Sequence, residues 1–405
     1  MNIRSVTCFV NAGNPKSQAT TVHQAGQLAH EARIALEAAG FSVQTTRLAT
    51  QPFSILPAEP KSLAVELWAQ CAEAGFEYLS MGPVLAHTPH ADLSRIDAIP
   101  DLIRTAEAVF VGVLVAHKGQ GLNTEAIQHT ARIVQEIAHT TNLGFGNLRL
   151  AMLANVGPHA PFFPAAYHDG GPPTVAIATE SADLAVAAFD GTGSLDETRA
   201  RLVADVEIAA GRIVDAIQPL SQRLGYRFAG IDFSLAPFPE EARSIGGAVE
   251  KLGVERFGSP GTLFAASFLT DCLRQAEYPR CGFNGLMLPV LEDATLAARS
   301  REGLLTVNDL LLYSAVCGTG LDTVPLPGDV SEAELAGILL DVAALALRLD
   351  KPLTARLMPI PGAQAGDLTE FDFAYFANGR VLDVKGSGSP GVLERGRWPA
   401  TRMSG

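Results

Sequence analysis

The sequence predicts an α/β fold built on a largely parallel sheet, and two observations carry that reading. Runs such as "AVFVGVLVA" (108–116) and "LRLAMLANV" (148–156) are apolar almost without interruption, as strands are when both faces are covered. Segments with helical periodicity stand between such runs, the alternation expected of strand–helix–strand units.

The first strand is read in "IRSVTCFV" (3–10), β-branched and apolar. The loop "NAGNPKS" leads to a helix through "QATTVHQAGQLAHEARIALEAAG", stopped at Gly40. "FSVQTTRLA" alternates as a strand does. A helix over 61–74, a strand over 76–81 and a helix over 93–106 precede the strand at 108, and a helix over 123–140 precedes the strand at 148. The second half repeats the style with longer loops: helix 197–223, strand "YRFAGIDF", two helices, strand "GLMLPVL" and helix 307–316. Ser331 and Glu334 form a capping-box pattern ahead of "EAELAGILLDVAALALRL". "LTARLMPI" reads as a strand, and "FDFAYFANGRVLDV" as a hairpin turning at Asn378-Gly379. One domain is expected over 1–385, with a tail over 386–405 that has little to bury and should be mobile.

The 405 residues are 47% apolar, enough for one large core. A formal net charge of −13 argues against nucleic acid or an anionic membrane as partner, because both demand a positive field. No apolar run approaches the ~20 residues of a membrane helix, and "MNIRSVTCFV" lacks the form of a signal peptide. A soluble, cytoplasmic protein with a small-molecule ligand is expected; the composition permits a homo-oligomer without demanding one. Five scattered cysteines with no CxxC pair read as reduced thiols.

Few motifs carry chemistry on their own. "GSGSPG" (386–391) spells a dinucleotide fingerprint, but no helix can start there to hold a pyrophosphate, so no cofactor is assigned. "FGSPGTLFAASF" places Ser259 as a helix cap with Pro260 in the first turn, an ordinary cap or an anion cradle. Polar residues stand at strand ends, where parallel α/β sheets line their ligand crevices: Asn155, Asp232, Ser234, Glu292, Asp293 and Arg356. Each has a bland alternative; Asp293, for instance, suits a cap for the helix "ATLAARSR". The long loop "NVGPHAPFFPAAYHDGGPP" carries His159, His168 and Asp169, and its aromatics favour an ordered lid or wall. His168 is the first candidate for acid/base work and His117 the second. Cys317, between an apolar run and the glycines of "CGTG", is either a buried structural thiol or a nucleophile on a loop threaded through a confined space.

With these residues in hand, the chain resembles the domain of unknown function 711 family. The matching segments are "LANVGPHAPFFPAAYHDG", "GIDFSLAPFP", "GFNGLMLPVLEDATL", "AVCGTGLDTVPLPGD" and "KPLTARLMPIPG", spread over 155–367. The resemblance implies a closed ten-stranded α/β barrel of the pyruvate formate-lyase type, with helices outside. A hairpin finger in the lumen would be "AVCGTGLD", carrying Cys317. Radical enzymes of that fold keep a glycine in an "RVxGY"-type loop, whereas this chain has "GRVLDVKGSGSPG", so no glycyl radical chemistry is expected.

Three functional readings follow. In the first, a lyase, transferase or hydrolase acts on a small, polar, anionic metabolite. Cys317 would be nucleophile or proton shuttle, and His168 and Glu292 acid/base groups. Arg356 would grip a carboxylate or phosphate, while Asn155, Asp232, Ser234, Asp293 and Asp322 would orient the rest. In the second, the same polar ring only recognises its ligand. In the third, Asp232, Glu292, Asp293, Asp322 and Asp329 hold a hard divalent cation.

Overall fold

A computed structural model describes residues 1–191 and 193–399. The strands are β1 (Asn2–Phe9), β2 (Val43–Ala49), β3 (Tyr78–Val84), β4 (Val109–His117), β5 (Gly121–Leu122), β6 (Leu150–Ala154), β7 (Thr174–Glu180), β8 (Arg227–Asp232), β9 (Gly320–Pro327) and β10 (Leu353–Ile360). They form one ten-stranded sheet in the order β8-β7-β1-β2-β3-β4-β6-β10-β9, with the short β5 on β4. β1, β2, β3, β4 and β6 run parallel; β7 and β10 join them antiparallel, each with a parallel neighbour beyond. Parallel neighbours need long crossovers, and the helices Pro15–Ala38, Pro60–Glu73 and Thr124–Thr140 supply them.

The two faces of the sheet are covered differently. Ile3, Val6, Leu48, Leu79, Val111, Val113, Met152 and Ile177 face the helices in one continuous core. On the opposite face, Phe9, Ala49, Phe110 and Ala176 meet Phe163 and Ala166, and Leu114, Ala151 and Leu153 meet Val156, Ala160 and Ala165. The loop over 155–172 therefore fills the inner face. Two hydrogen bonds hold it there: the Ser80 hydroxyl of β3 donates to the Ala166 carbonyl at 2.7 Å, and the carbonyl of Thr50, just after β2, accepts from the His168 N–H at 2.9 Å.

Five regions differ from the sequence reading. "TVAIATE" forms β7, and the end of the expected finger "AVCGTGLD" runs into β9, "GLDTVPLP", which is buried along its whole length. "GLMLPVL" makes only isolated bridges, Leu235 to Leu286 and Pro289 to Asp322, which set it beside both edge strands. The expected hairpin over 371–384 is an irregular loop with one bridge, Leu368 to Arg380. Asn378 ties it by accepting from the Phe371 N–H at 2.8 Å and donating to the Phe371 carbonyl at 3.0 Å. The helix at Ser259 starts later, at Thr262, behind Gly261 at φ +106° rather than a serine cap.

Beyond residue 385 the chain finds something to bury. A turn of helix, Pro390–Leu393, seats Leu393, and Trp398 exchanges backbone hydrogen bonds with Leu122 at 2.8 and 3.1 Å. The last part of the expected tail, 400–405, lies outside the described residues. Among the described residues no helix is long and apolar enough to cross a membrane.

Candidate functional site

Two strand irregularities place arginines on the inner face. The β1–β7 register shifts between Ile3 and Ser5, leaving Arg4 as the extra residue. The β10–β9 register shifts between Ala355 and Leu357, so Asp322 and Thr323 oppose the single Arg356; Thr323 takes φ +42°. A bulge re-aims a side chain and tightens the local twist. Here the two bulges aim Arg4 and Arg356 at one carboxylate, Glu292, which follows the bridging segment.

The result is a buried charge network. Arg356 donates from Nη2 to Glu292 Oε1 at 2.9 Å and from Nε to Asp322 Oδ1 at 2.6 Å, while Arg4 donates to Glu292 Oε2. Arg4 also lies 3.6 Å from Glu180, whose other oxygen accepts from Arg243 at 2.6 Å. Burial raises the Glu292 carboxyl pKa, but Arg4 and Arg356 outweigh it and hold the group below the usual carboxylate range. Asp322 goes the other way: burial, reinforced by Glu292, lifts it against the pull of Arg356. Its Oδ2 is buried with no hydrogen-bond partner.

Arg47 is the exception in this network. It sits on β2, paired with Tyr78 of β3, and is 9% exposed. Its Nε donates to the Thr45 hydroxyl at 2.8 Å, and its guanidinium lies 5.2 Å from the Phe163 ring centre and 5.5 Å from that of Tyr78. Among the described residues no acidic side chain forms an ion pair with it, and its terminal nitrogens donate to no protein group. Burial, and then repulsion by Arg4, push its pKa down to about 10. Arg4, Arg47, Arg356 and Glu292 line a small cleft whose remaining walls include Tyr78, Phe110, Phe162, Phe163, Phe373 and Tyr375.

Of the residues singled out in the sequence, Glu292, Asp322 and Arg356 come together. Arg356, expected to grip a ligand, spends its fork on Asp322 and Glu292 of its own chain. Sequence reading missed Arg4 and Arg47; the only trace of them is a charged residue in each of two otherwise buried strands.

The others serve the scaffold. Asp232 accepts from Ser234 at 2.6 Å and from the N–H groups of Phe283 and Asn284, although burial raises its pKa. Asp293 caps the helix Ala294–Arg301 through the Thr295 and Leu296 N–H groups, and also accepts from the Ile245 N–H at 2.6 Å, at the start of the helix Ile245–Lys251. Asn155, at φ +55°, accepts from the Lys118 N–H and donates to the Ala346 carbonyl. Asp329 lies on another surface with Arg132 and His139, so the five carboxylates of the hard-cation reading do not converge.

The Cys317 thiol lies in the core between sheet and helices, 1% exposed, where the Gly320 N–H donates to it at 3.3 Å. Lys351 donates to the carbonyls of Ser314, Ala315 and Cys317, ending the preceding helix. The segment's glycines allow close approach: a Cβ on Gly318 would stand 2.7 Å from the Gly285 Cα. His168 is fully buried, accepting at Nδ1 from the Gly170 N–H (2.9 Å) and donating from Nε2 to the Pro172 carbonyl (3.1 Å). Among the described residues no hydrogen bond or ion pair joins Cys317, His168 and Glu292. His117 stacks near His87 instead, ring centres 5.5 Å apart, and accepts from the Gly119 N–H.

His159, His168 and Asp169 bring possible metal-ligand atoms within 4.8 Å of one another. The chemistry is that of a loop clasp. The Gly170 N–H fixes the tautomer in which His168 Nε2 carries the proton, and Arg227 donates to His159 at 3.1 Å, placing a cation where an ion would sit.

Comparison with known proteins agrees with this geometry in extent. The UPF0210 protein of Pyrobaculum arsenaticum is 33% identical over 86% of this chain and 80% of its own length. That of Methanopyrus kandleri is 30% identical, covering 95% and 91%, and that of Lactobacillus delbrueckii subsp. bulgaricus 28%, covering 89% and 84%. The model of the family described as "Uncharacterised ACR (DUF711)" matches residues 1–378, which takes in every strand and all of the charge network; the chain belongs to the DUF711 family.

Proposed function

We propose that the protein receives a small organic anion, a carboxylate, at Arg47. The observation that carries this reading is a buried guanidinium with no carboxylate partner, facing a cleft. A buried charge is costly unless paired, so such a group is poised for a partner that arrives from outside. Arg243 answers Glu180, Arg4 and Arg356 are held by Glu292 and Asp322, and Arg47 is left without an ion-pair partner among the described residues. The planar fork suits a carboxylate, and the aromatic walls exclude the water that would compete with it. Titration calorimetry with acetate, inorganic phosphate and neutral acetamide tests the reading. Acetate alone should bind, and Arg47→Gln should abolish it; equal binding of acetate by the variant would sink the assignment.

A catalytic reading is favoured by Asp322. Its buried, unpartnered Oδ2 and upward-shifted pKa suit a group that holds a proton behind Arg356, one residue back from the cleft wall. In this reading Glu292, gripped at both oxygens, positions Arg4 and Arg356, and Cys317 and His168 take no part. Asp322→Asn should keep acetate binding while losing turnover of any substrate found.

For the fold, we propose that the sheet closes into the pyruvate formate-lyase-like barrel. The bridges from Leu235 to Leu286 and from Pro289 to Asp322 support closure through the 280–290 segment. The inner element would then be the 155–172 loop, with the helices outside.

A further inference from the structure

We infer that the anion bound at Arg47 carries an apolar body, aromatic or aliphatic, which leaves the charged cleft past Phe373. This rests on the carboxylate reading above and adds the ligand's other end. A second, wider cleft adjoins the first, and Tyr78, Phe110, Leu148 and Phe373 line both. Its further walls carry Trp68, Ile103, Leu143, Phe145 and Phe371 on the apolar side, with Arg104, Glu107, Arg149, Glu370 and Asp372 among the polar ones. The two clefts thus share an apolar, largely aromatic wall, and the wider one has a charged rim.

Two features of the wider cleft offer apolar contact. Phe145 meets Phe371 and Phe373 with ring centres 5.9 and 5.1 Å apart, so the wall is a packed aromatic surface. Leu143, at the mouth, is 37% exposed and held at φ +51°, a conformation that costs a branched side chain energy. A carboxylate seated at Arg47 can extend its substituent along this shared wall of Tyr78, Phe110, Leu148 and Phe373.

Titration calorimetry of the full chain with acetate, butyrate, hexanoate and 3-phenylpropionate tests this. Each buried methylene should tighten binding by about 4-fold, so hexanoate should exceed acetate by on the order of 100-fold. Phe373→Ala and Leu143→Ser should each reduce that gain per methylene. If acetate binds, is lost in Arg47→Gln, and the series is flat, the apolar body is overturned while the anion site stands. If the folded protein binds none of the four, both fall.

Discussion

Arg4 and Arg356 grip opposite oxygens of one carboxylate, Glu292, and each sits at a β-bulge, Arg4 as the extra residue of β1 and Arg356 as the single residue facing two of β9. The network thus ties the N-terminal strand to the last strand of the sheet. Replacing Glu292 by Gln would leave two buried guanidinium groups facing each other with their shared partner neutralised. Removing one member of a buried ion pair costs about 3–5 kcal/mol. Glu292→Gln should lose stability of that order in a denaturant titration, with both bulges as the first regions to lose amide protection.

Arg47 should behave in the opposite sense. It is buried without an ion-pair partner, so its removal deletes a desolvation cost along with one hydrogen bond to Thr45. Arg47→Met should leave stability unchanged or raise it by about 1 kcal/mol, while removing acetate binding. A loss comparable to that of Glu292→Gln would mean that Arg47 is structural.

The clasp of the inner loop predicts a pH dependence. Burial pushes His159 down to about 4, aided by Arg227 and opposed by Asp169, against an ordinary value of 6.5. Between those values the unfolded chain binds a proton that the folded chain does not. The contribution is therefore fully present above pH 6.5 and is lost as pH falls towards 4. Thermal melts across that window should show the wild type losing more stability than His159→Asn.

Thiol chemistry should be quiet. Cys8, Cys71, Cys272 and Cys317 are buried, and burial also holds the half-buried Cys281 well above the usual thiol range. With excess thiol reagent at neutral pH, Cys317 should label only on unfolding, and Cys317→Ser should leave acetate binding unchanged. Rapid labelling of Cys317 in the folded protein would revive a nucleophilic role.

The glycines around it are under tighter demand than the sulfur. Gly318→Ala would drive a methyl into the Gly285 backbone and should cost about 1–3 kcal/mol, the overpacking range, read as a lowered denaturation midpoint.

The alternation of apolar runs with helices made the layered α/β plan legible, because strands buried on both faces leave an unmistakable composition. β9 was misread because Pro325, Pro327 and two glycines look like a turn, yet its parallel neighbour β10 supplies the order that local propensity lacks. Glu292, Asp322 and Arg356 could be picked out as strand-end polar residues, but not what each would face. Arg4 could not, because a bulge is a property of two strands together, and Arg47 could not, because nothing local says which face of β2 opens on a cleft. The inner loop was legible as ordered through its aromatics, whereas its place against the sheet depends on Ser80 and Thr50, far away in sequence.

The pairing of Leu353 with Ala154 has a consequence for how the molecule is made. On the ribosome, β6 emerges with a bare edge and waits through nearly the whole second half of synthesis for β10 to cover it. An uncovered apolar edge invites a neighbouring chain to add its own strand. Products cut short before residue 353 should therefore stick to one another rather than persist as partly folded monomers.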